Sequence, residues 1–465
     1  MDAFERELMR RSPLAGSVLE ISDFIFDESW LNSIYAAHRG RCYEDKLKFS
    51  TFLRLMRDAL VRYGGSAHQL FVELEACDAE PIDESNFYRK LARTSVALSR
   101  ALLREGTQRL SQLMPLNVAT LPGCFDGFEL IAGDGKKIKN ATGRLKPTRG
   151  YSGALLGAKS LVALNLRTGL AIAMSDSLDG LANDVPLVPE LMDQVRQVIA
   201  GPVLSVWDRQ FDDARTFGRL TERKGDAFVV RIRQGDAVFT VESSAESVDE
   251  KGRRVLDEIG VLRYGTANKA GEKKFMRLRR VTLFRDREAE ENIVLMTDLV
   301  ERDKFSALAL LELYRHRWHI ETVFQKVTET FSLQHLIGSS PKAALLQFSF
   351  CLLLYNLVQV IKAYVAADGG VLPSVVSTFY LFQTVKKELV AWAHYTDCQW
   401  PRAHRDVTTM RLRLRELLAG IWNPVAYTKA KDKKPRGKPK ERIRLHGGHT
   451  SIQRLLEGRA RTLSK

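Results

Sequence analysis

Two short apolar segments that each end in an aspartate place the strongest constraint on how this chain can fold. FELIAGD ends at Asp134, and PVLSVWD ends at Asp208. A short continuous apolar run is typical of a buried β-strand. Because acids at the ends of such strands project into a shared cleft at one edge of a sheet, the sequence predicts that these two carboxylates lie close together.

A third acid lies in a helical pattern farther along the chain, in the segment YRHRWHIE. Residues three, four and seven apart share one face of a helix, so Tyr314, Arg317 and Glu321 point the same way. Three carboxylates brought together by folding form a two-metal phosphoryl-transfer site in outline, since oxygen ligands suit hard divalent ions. A plain surface salt bridge between Arg317 and Glu321 is the alternative interpretation of the same spacing.

These motifs and their order resemble those of the DDE transposases of bacterial insertion sequences, in particular the insertion-sequence-four family. The resemblance covers roughly residues 125 to 365. GDG at 133–135 is similar to the first-Asp motif, DRQF at 208–211 to the second, and the order Y-x2-R-x3-E at 314–321 to the third. It implies an α/β fold, with an RNase H-like catalytic core that is interrupted by a β-rich insertion and preceded by an all-α N-terminal DNA-binding domain.

The resemblance also implies roles for individual residues. Asp134, Asp208 and Glu321 are expected to be catalytic and to hold two Mg²⁺ ions, for which Mn²⁺ can substitute. Tyr314 and Arg317 are expected to hold a DNA phosphate at the transposon end. Arg209, in the second motif, is expected to contact DNA.

Two positions depart from the family pattern. The third motif usually continues to a lysine seven residues after the glutamate, and this chain has Thr328 there. Lys326 does not replace it, because two residues turn a helical side chain by about 200°. Some relatives stack a tryptophan on a flipped base where this chain has Ile293, and an isoleucine offers no aromatic face for that contact.

The helix and strand patterns, together with the resemblance, predict five regions in the chain. They are a helical N-terminal DNA-binding domain at 1–118, the first part of the core at 119–233, the β-rich insertion at 234–300, the second part of the core with C-terminal helices at 301–425, and a basic C-terminal tail at 426–465. The tail segment KAKDKKPRGKPKERIR is interpreted as a flexible basic arm for the DNA backbone or as a solubilising segment.

The segment NFYRKLAR in the N-terminal region resembles a DNA recognition helix. Amide, aromatic and cationic groups that suit a DNA groove come from Asn86, Tyr88, Arg89, Lys90 and Arg93. An ordinary solvated helix face is the competing interpretation.

Other charged residues near the motifs leave alternatives open. Lys136, Lys137 and Lys139 follow the first acid and can meet phosphates, although a solvated lysine run explains them equally well. Asp212 and Asp213 are alternatives to Asp208, which we prefer because it directly ends the apolar run.

A half-buried strand that presents cations on one face is predicted within the insertion, at 273–284. Strand alternation puts Arg277 and Arg279 on one face and Leu278 on the other. A solvated sheet face is the alternative.

Charge and cysteine usage agree with a DNA partner in a reducing compartment. The 71 Lys and Arg residues exceed the 56 Asp and Glu residues, and the net charge of +15 favours a polyanion, which is DNA or RNA. Five scattered cysteines indicate neither a zinc site nor a disulfide framework. The charged start MDAFERELMRR lacks the apolar core of a signal peptide. The uncharged segment 343–361 is interpreted as a buried helix rather than a membrane span.

The sequence therefore predicts a cut-and-paste transposase that cleaves the ends of an insertion sequence and joins them to target DNA. Its partners are double-stranded DNA, as terminal repeats and as target, and a second copy in a synaptic homodimer, with no membrane partner. A bacterial cytoplasmic, nucleoid-associated location follows. The alternative is a non-catalytic DNA-binding protein derived from a transposase, and Thr328 is its best support.

Overall fold

The computed structural model describes residues 3–41, 47–76, 83–115, 121–139, 145–149, 151, 153–233, 239–264, 274–285, 291–329, 331, 333, 335–395, 406–428 and 448–458. The helices are α1 Ala3–Arg11, α2 Pro13–Ile25, α3 Glu28–His38, α4 Phe49–Val61, α5 Ala67–Ala76, α6 Glu84–Arg93, α7 Val96–Ser111, α8 Val188–Val198, α9 Ala214–Leu220, α10 Ala307–His316, α11 Trp318–Glu329, α12 Pro341–Asp368, α13 Thr378–Tyr395, α14 Val407–Leu418, α15 Pro424–Tyr427 and α16 Ile452–Leu456. The strands are β1 Glu129–Ile138, β2 Ala154–Leu156, β3 Ala158–Asn165, β4 Ala171–Ser177, β5 Val203–Trp207, β6 Ala227–Arg231, β7 Phe239–Val248, β8 Arg254–Tyr264, β9 Lys274–Leu283, β10 Ile293–Thr297 and β11 His449–Ser451.

A nine-stranded mixed sheet organises the protein, in the order β4-β3-β1-β5-β6-β10-β9-β8-β7. Strands β1, β5 and β6 are parallel, whereas β3 and β4 run antiparallel to their neighbours. β3 and β4 form a hairpin over residues 167–169, and Gly169 adopts a φ of +70° in its turn. Because β1 and β5 are adjacent and parallel, the two apolar runs found in the sequence carry their aspartates to the same edge.

Close packing fixes the separation of these two strands just before their aspartates. Gly133 pairs with Trp207 in the β1–β5 register, and the indole ring lies against the glycine. A Cβ atom at position 133 would lie 2.1 Å from that ring, so only glycine fits. The Trp207 ring is fully buried and stacks near Phe211, with ring centroids 4.7 Å apart.

The strands at 239–283 continue the core sheet instead of forming a separate one. β10 pairs with β6 of the core on one side and with β9 on the other. Arg279 of β9 is not presented to solvent, which corrects the prediction for this strand. It is fully buried, donates to both carboxylate oxygens of Asp257 and donates to the carbonyl of Phe305, two residues before α10. Arg279 thus fixes where the helix carrying the third motif begins.

The helices before residue 115 pack into the same hydrophobic core as the sheet. The apolar face of α4 is buried, including Phe49, Phe52 and Met56. Helix α7 contacts β4 and α12, and the Arg100 guanidinium is paired with the carboxylates of Asp176 and Glu190.

Helix α12 is long and apolar enough to cross a membrane, and it is the one such helix in the described part of the chain. Its most apolar window is entirely buried among the protein's own elements, as the core helix of a soluble protein also is. Length and composition alone are therefore weak evidence for a membrane span.

Residues after the basic segment return to the core. Strand β11 pairs in parallel with β2, the Gly180 N–H donates to Ser451 Oγ at 3.0 Å, and Arg454 Nε donates to Asp179 Oδ2 at 2.8 Å. The predicted tail at 426–465 is therefore docked at 448–458. Residues 429–447, with most of its basic side chains, lie outside the described residues.

Candidate active site

The first acid lies within a strand and not at its end, because β1 continues for four residues past Asp134. Pairing with β5 stops at Gly133 and Trp207, whereas pairing with β3 continues through Asp134 opposite Val162. Asp134 is thus the first residue beyond the β1–β5 pairing. Its Oδ1 accepts a hydrogen bond of 2.8 Å from the N–H of Gly135.

The second acid, Asp208, follows β5 directly, as predicted, and accepts a hydrogen bond from a residue of the third motif. Tyr314 Oη donates to Asp208 Oδ1 at 3.1 Å. Because Asp134 and Asp208 each follow the Gly133–Trp207 pair on adjacent parallel strands, which are about 4.8 Å apart, they occupy neighbouring positions.

The third motif is divided between two helices, although the sequence pattern predicts that its three residues share one helix. α10 ends at His316, α11 begins at Trp318, and the N–H of Arg317 donates to the carbonyl of Tyr314. Helical geometry is kept at the junction, since Arg317 has φ −53° and ψ −34°. Tyr314, Arg317 and Glu321 therefore lie on the same side of the two helices, next to Asp134 and Asp208.

Arg317 is the centre of the cluster. Its Nη2 donates to Glu321 Oε1 at 2.9 Å, and its Nη1 lies 3.8 Å from Asp134 Oδ2. The side chain is only 4 % exposed, so this is a buried ion pair rather than the surface salt bridge that the sequence left open. Within the described part of the chain, Nε and Nη1 have no hydrogen-bond partner. Buried donors without a hydrogen bond are uncommon in folded proteins, so these two nitrogens mark Arg317 as a candidate functional residue.

Burial and neighbouring charges shift the pKa values of Asp134 and Tyr314. Burial raises the pKa of Asp134 to about 6, and the charges of Glu321 and Asp208 add to the rise, although Arg317 and the Gly135 N–H oppose it. Burial, together with the charge of Asp208, raises the pKa of Tyr314 to about 12, which keeps the phenol neutral and able to donate. The site therefore holds more negative charge than Arg317 neutralises.

We expect the Asp134→Asn protein to be more stable than the wild type at pH 7.5 in EDTA. The pKa of Asp134 is raised in the folded state, so the folded protein binds the proton more tightly and loses stability as the pH rises from about 4 to about 6. Removing the charge should raise the free energy of unfolding by on the order of 1–3 kcal/mol above that window. Urea unfolding at pH 7.5 and pH 4.0 measures this gain, which should nearly vanish at the lower pH. An equal gain in stability at both pH values would contradict a raised pKa of Asp134 in the folded protein.

The acids that the sequence left as alternatives to Asp208 have structural partners. Asp212 Oδ2 accepts from the N–H of Arg233 at 2.8 Å, and Asp213 caps α9 by accepting from the N–H of Thr216. Arg209 is half-exposed beside the site and pairs with Glu291 at 2.9 Å.

The residues predicted to form a DNA recognition helix lie on α6, far from the three acids in the sequence. One of them cannot contact DNA because its side chain is buried. The prediction for Lys90 is wrong, because its side chain is buried, donates to the carbonyl of Leu47 and lies 4.7 Å from the centroid of the Tyr35 ring. Exposed side chains remain at Arg89 and Arg93, with Asn86 and Tyr88 partly buried. Their contact with DNA stays a prediction.

Trp318 is a residue of the site that the sequence interpretation missed. Its side chain is 59 % exposed, and the Arg317 guanidinium carbon lies 5.6 Å from its ring centroid. Its position in the sequence could have identified it, because Trp318 is four residues after Tyr314 and three before Glu321 and therefore shares their helical face.

Residues 126–357 match the family model described as "Transposase DDE domain". The match includes all five residues of the cluster, which are Asp134, Asp208, Tyr314, Arg317 and Glu321. This part of the chain is therefore similar to transposase DDE domains. The narrower assignment to the insertion-sequence-four family stays a prediction.

Comparisons outside the family model add little. No curated protein sequence matches the chain. Among solved structures, the chain is similar to one in the cryo-EM structure of a piggyBac transposase synaptic complex with hairpin DNA. The two are 14 % identical, the match covers 87 % of this chain and 85 % of that chain, and the TM-score is 0.37. We base no conclusion on a similarity of this size.

DDE transposases generally use divalent metal ions, and the donor chemistry of this DDE domain suits them. Within the described residues, no three His, Cys, Asp or Glu side chains lie close enough to share one ion. Magnesium nevertheless needs only one or two carboxylates, because waters and substrate oxygens complete its shell. The carboxylates present fit such a cation, and burial, which raises the pKa of Asp134, disfavours its charged form unless a cation lies beside it.

Proposed function

We propose that this protein is a transposase that cleaves DNA at the ends of an insertion sequence and transfers the ends to target DNA, by a metal-dependent cut-and-paste reaction. One observation supports the proposal above the others. The DDE domain brings together Asp134, Asp208 and Glu321 with a tyrosine and an arginine on the helices of the third motif. A domain that only bound DNA would have no use for three carboxylates, which repel the phosphate backbone.

The three carboxylates would hold two Mg²⁺ ions, for which Mn²⁺ can substitute. When bound, such ions activate a nucleophile and neutralise charge on the attacking and leaving oxygens of a phosphodiester. Tyr314 positions Asp208 through its hydrogen bond, so this carboxylate is fixed before an ion arrives.

Arg317 would bind the phosphate at the cleaved bond. Its Nε and Nη1 are two donors that lack a hydrogen bond among the described residues, and the ion pair of Nη1 with Asp134 places them next to the acids. A guanidinium matches two phosphate oxygens at once. The phosphate would compete with Glu321 for Nη2, which frees that carboxylate as the DNA binds.

DNA ends would also contact surfaces outside the cluster. Arg209 borders the acids, and Asn86, Tyr88, Arg89 and Arg93 of α6 remain our candidates for reading the terminal repeats. Synapsis of two ends requires two copies of the protein on DNA, so we propose a homodimer in that complex. A bacterial cytoplasmic, nucleoid-associated location belongs to the same proposal.

Trp318 would stack on a base at the cleaved end. Most of its ring faces solvent beside Arg317, and Ile293 offers no ring for this purpose. We expect Trp318→Ala to weaken binding of end DNA roughly 5- to 150-fold, corresponding to a stacking energy of about 1–3 kcal/mol. Trp318→Phe should recover most of the loss. Fluorescence anisotropy with labelled end DNA measures this, and equal affinities for wild type and Trp318→Ala would exclude stacking.

The reaction itself is tested with the purified protein and a linear fragment that carries the terminal repeats of its own element. We expect cleavage at the element boundary with Mg²⁺ and none with EDTA. The alternative, a DNA-binding protein derived from a transposase, predicts that the fragment is bound under both conditions and cut under neither.

A further inference from the structure

Lys136 is a cation of the DDE domain to which no role has been assigned. Side chains alternate along a strand, so Lys136 shares the face of β1 that carries Asp134, whereas Lys137 faces the other way. Lys136 is half-buried, and Lys137 is exposed. The Nζ atom of Lys136 lies 5.7 Å from the centroid of the Phe324 ring, on α11.

The Lys136 ammonium has an aromatic contact but no directly paired carboxylate. Among the described residues it has no hydrogen bond or ion pair, its ring contact is Phe324, and the charges of Lys139, Asp134 and Glu329 act on it from a greater distance. Lys159 of the adjacent strand shows the contrast. Its Nζ is paired with Asp184 Oδ1 at 2.8 Å and donates to the carbonyl of Ala182. A lysine with a purely structural role is expected to resemble Lys159.

The face of α11 that meets β1 lacks a cation of its own. Glu321, Phe324 and Thr328 share this face, because they are three and seven residues apart. Thr328 Oγ1 donates to the carbonyl of Phe324 at 2.7 Å, so it is committed to its own helix. Lys136 therefore brings the positive charge from β1 to the place where the helix has none.

We propose that Lys136 binds a backbone phosphate of the DNA end, next to the phosphate held by Arg317. The inference rests on the proposed function, since it names a contact of that same DNA. It would place on β1 the ammonium that the family resembled by the third motif carries at the position of Thr328.

Binding is measured by anisotropy in EDTA, with end DNA at several salt concentrations, so that cleavage does not interfere. We expect Lys136→Gln to lower the affinity about 10-fold, as for one charge-assisted contact. The slope of log K against log salt should fall by about 0.9, the value for one lost phosphate contact on duplex DNA. Lys137→Gln removes the same charge one residue away and should leave both quantities nearly unchanged.

A rescue variant tests whether the two elements serve one phosphate. Thr328→Lys combined with Lys136→Gln should restore the affinity and the slope. A scan of neutral methylphosphonate groups near the cleaved bond should find one position that weakens wild-type binding but not binding by Lys136→Gln. If Lys136→Gln behaves like Lys137→Gln, or if no methylphosphonate position is coupled to Lys136, the inference is wrong.

The phosphate contact of Lys136 and the proposed cleavage reaction can fail independently of each other. Failure of the wild type to cut end DNA with Mg²⁺, together with the expected salt slopes in EDTA, would overturn the proposed cleavage reaction and still support the phosphate contact. Normal cleavage by the wild type, with the same salt slope for Lys136→Gln as for the wild type, would support the cleavage reaction and overturn the phosphate contact.

Discussion

Replacement of Asp134, Asp208 or Glu321 by alanine should lower strand cleavage about 1,000-fold or more, while end binding stays within a few-fold of the wild type. Loss of a ligand removes charge stabilisation of several kcal/mol from the transition state, and each 1.4 kcal/mol is a factor of ten. Binding is retained because carboxylates repel phosphates. Cleavage of end DNA under single-turnover conditions measures the first effect, and anisotropy measures the second.

A matched control comes from the acids that follow Asp208. Asp212→Asn changes the same kind of residue four positions away, and asparagine can still accept from the N–H of Arg233. We therefore expect Asp212→Asn to cut normally and Asp208→Asn to be inactive. Near-normal cleavage by any of the three alanine variants would remove that acid from the active site.

Arg317→Ala should weaken end binding and cleavage together, unlike the carboxylate variants. The loss of charge-assisted hydrogen bonds is worth about 1.5–3 kcal/mol, which is roughly 10- to 150-fold in end affinity. Arg317→Lys keeps the charge but not the two-pronged geometry, so it should recover only part of the loss. The dissociation constant and the cleavage rate are measured on the same DNA end.

The unfolding curve of Arg317→Ala is needed beside these data, because the guanidinium is buried between carboxylates. A variant that folds and still binds ends with the wild-type dissociation constant would show that Arg317 does not touch the terminal phosphate. Loss of cleavage alone would then mean that Arg317 only positions Glu321.

The sequence was sufficient for the features that depend on local pattern. Apolar runs predicted β1 and β5 with their aspartates, and helical spacing predicted that Tyr314, Arg317 and Glu321 share a face. In each case the signal extends over fewer than about 20 residues, where strand and helix periods determine which side chains face the core.

Partners from distant parts of the chain could not be predicted. Lys90 and Arg279 have the charge of surface residues, yet both are buried because Leu47 and Asp257 supply their hydrogen-bond acceptors. The Tyr314–Asp208 bond and the contact of Lys136 with Phe324 depend in the same way on how β1, α10 and α11 pack. No periodicity within one element contains that information.

The docking of β11 on β2 affects how the protein emerges from the ribosome. Ser451 is 271 residues beyond Gly180, to which it is bonded. At about 5–20 residues per second, roughly 15 to 55 seconds separate the synthesis of these two residues. The nine-stranded sheet can assemble in that interval, since each of its strands is already made. Strand β2 must wait for its partner, so a nascent chain interrupted within residues 429–447 should release a DDE domain with a complete sheet but without β11.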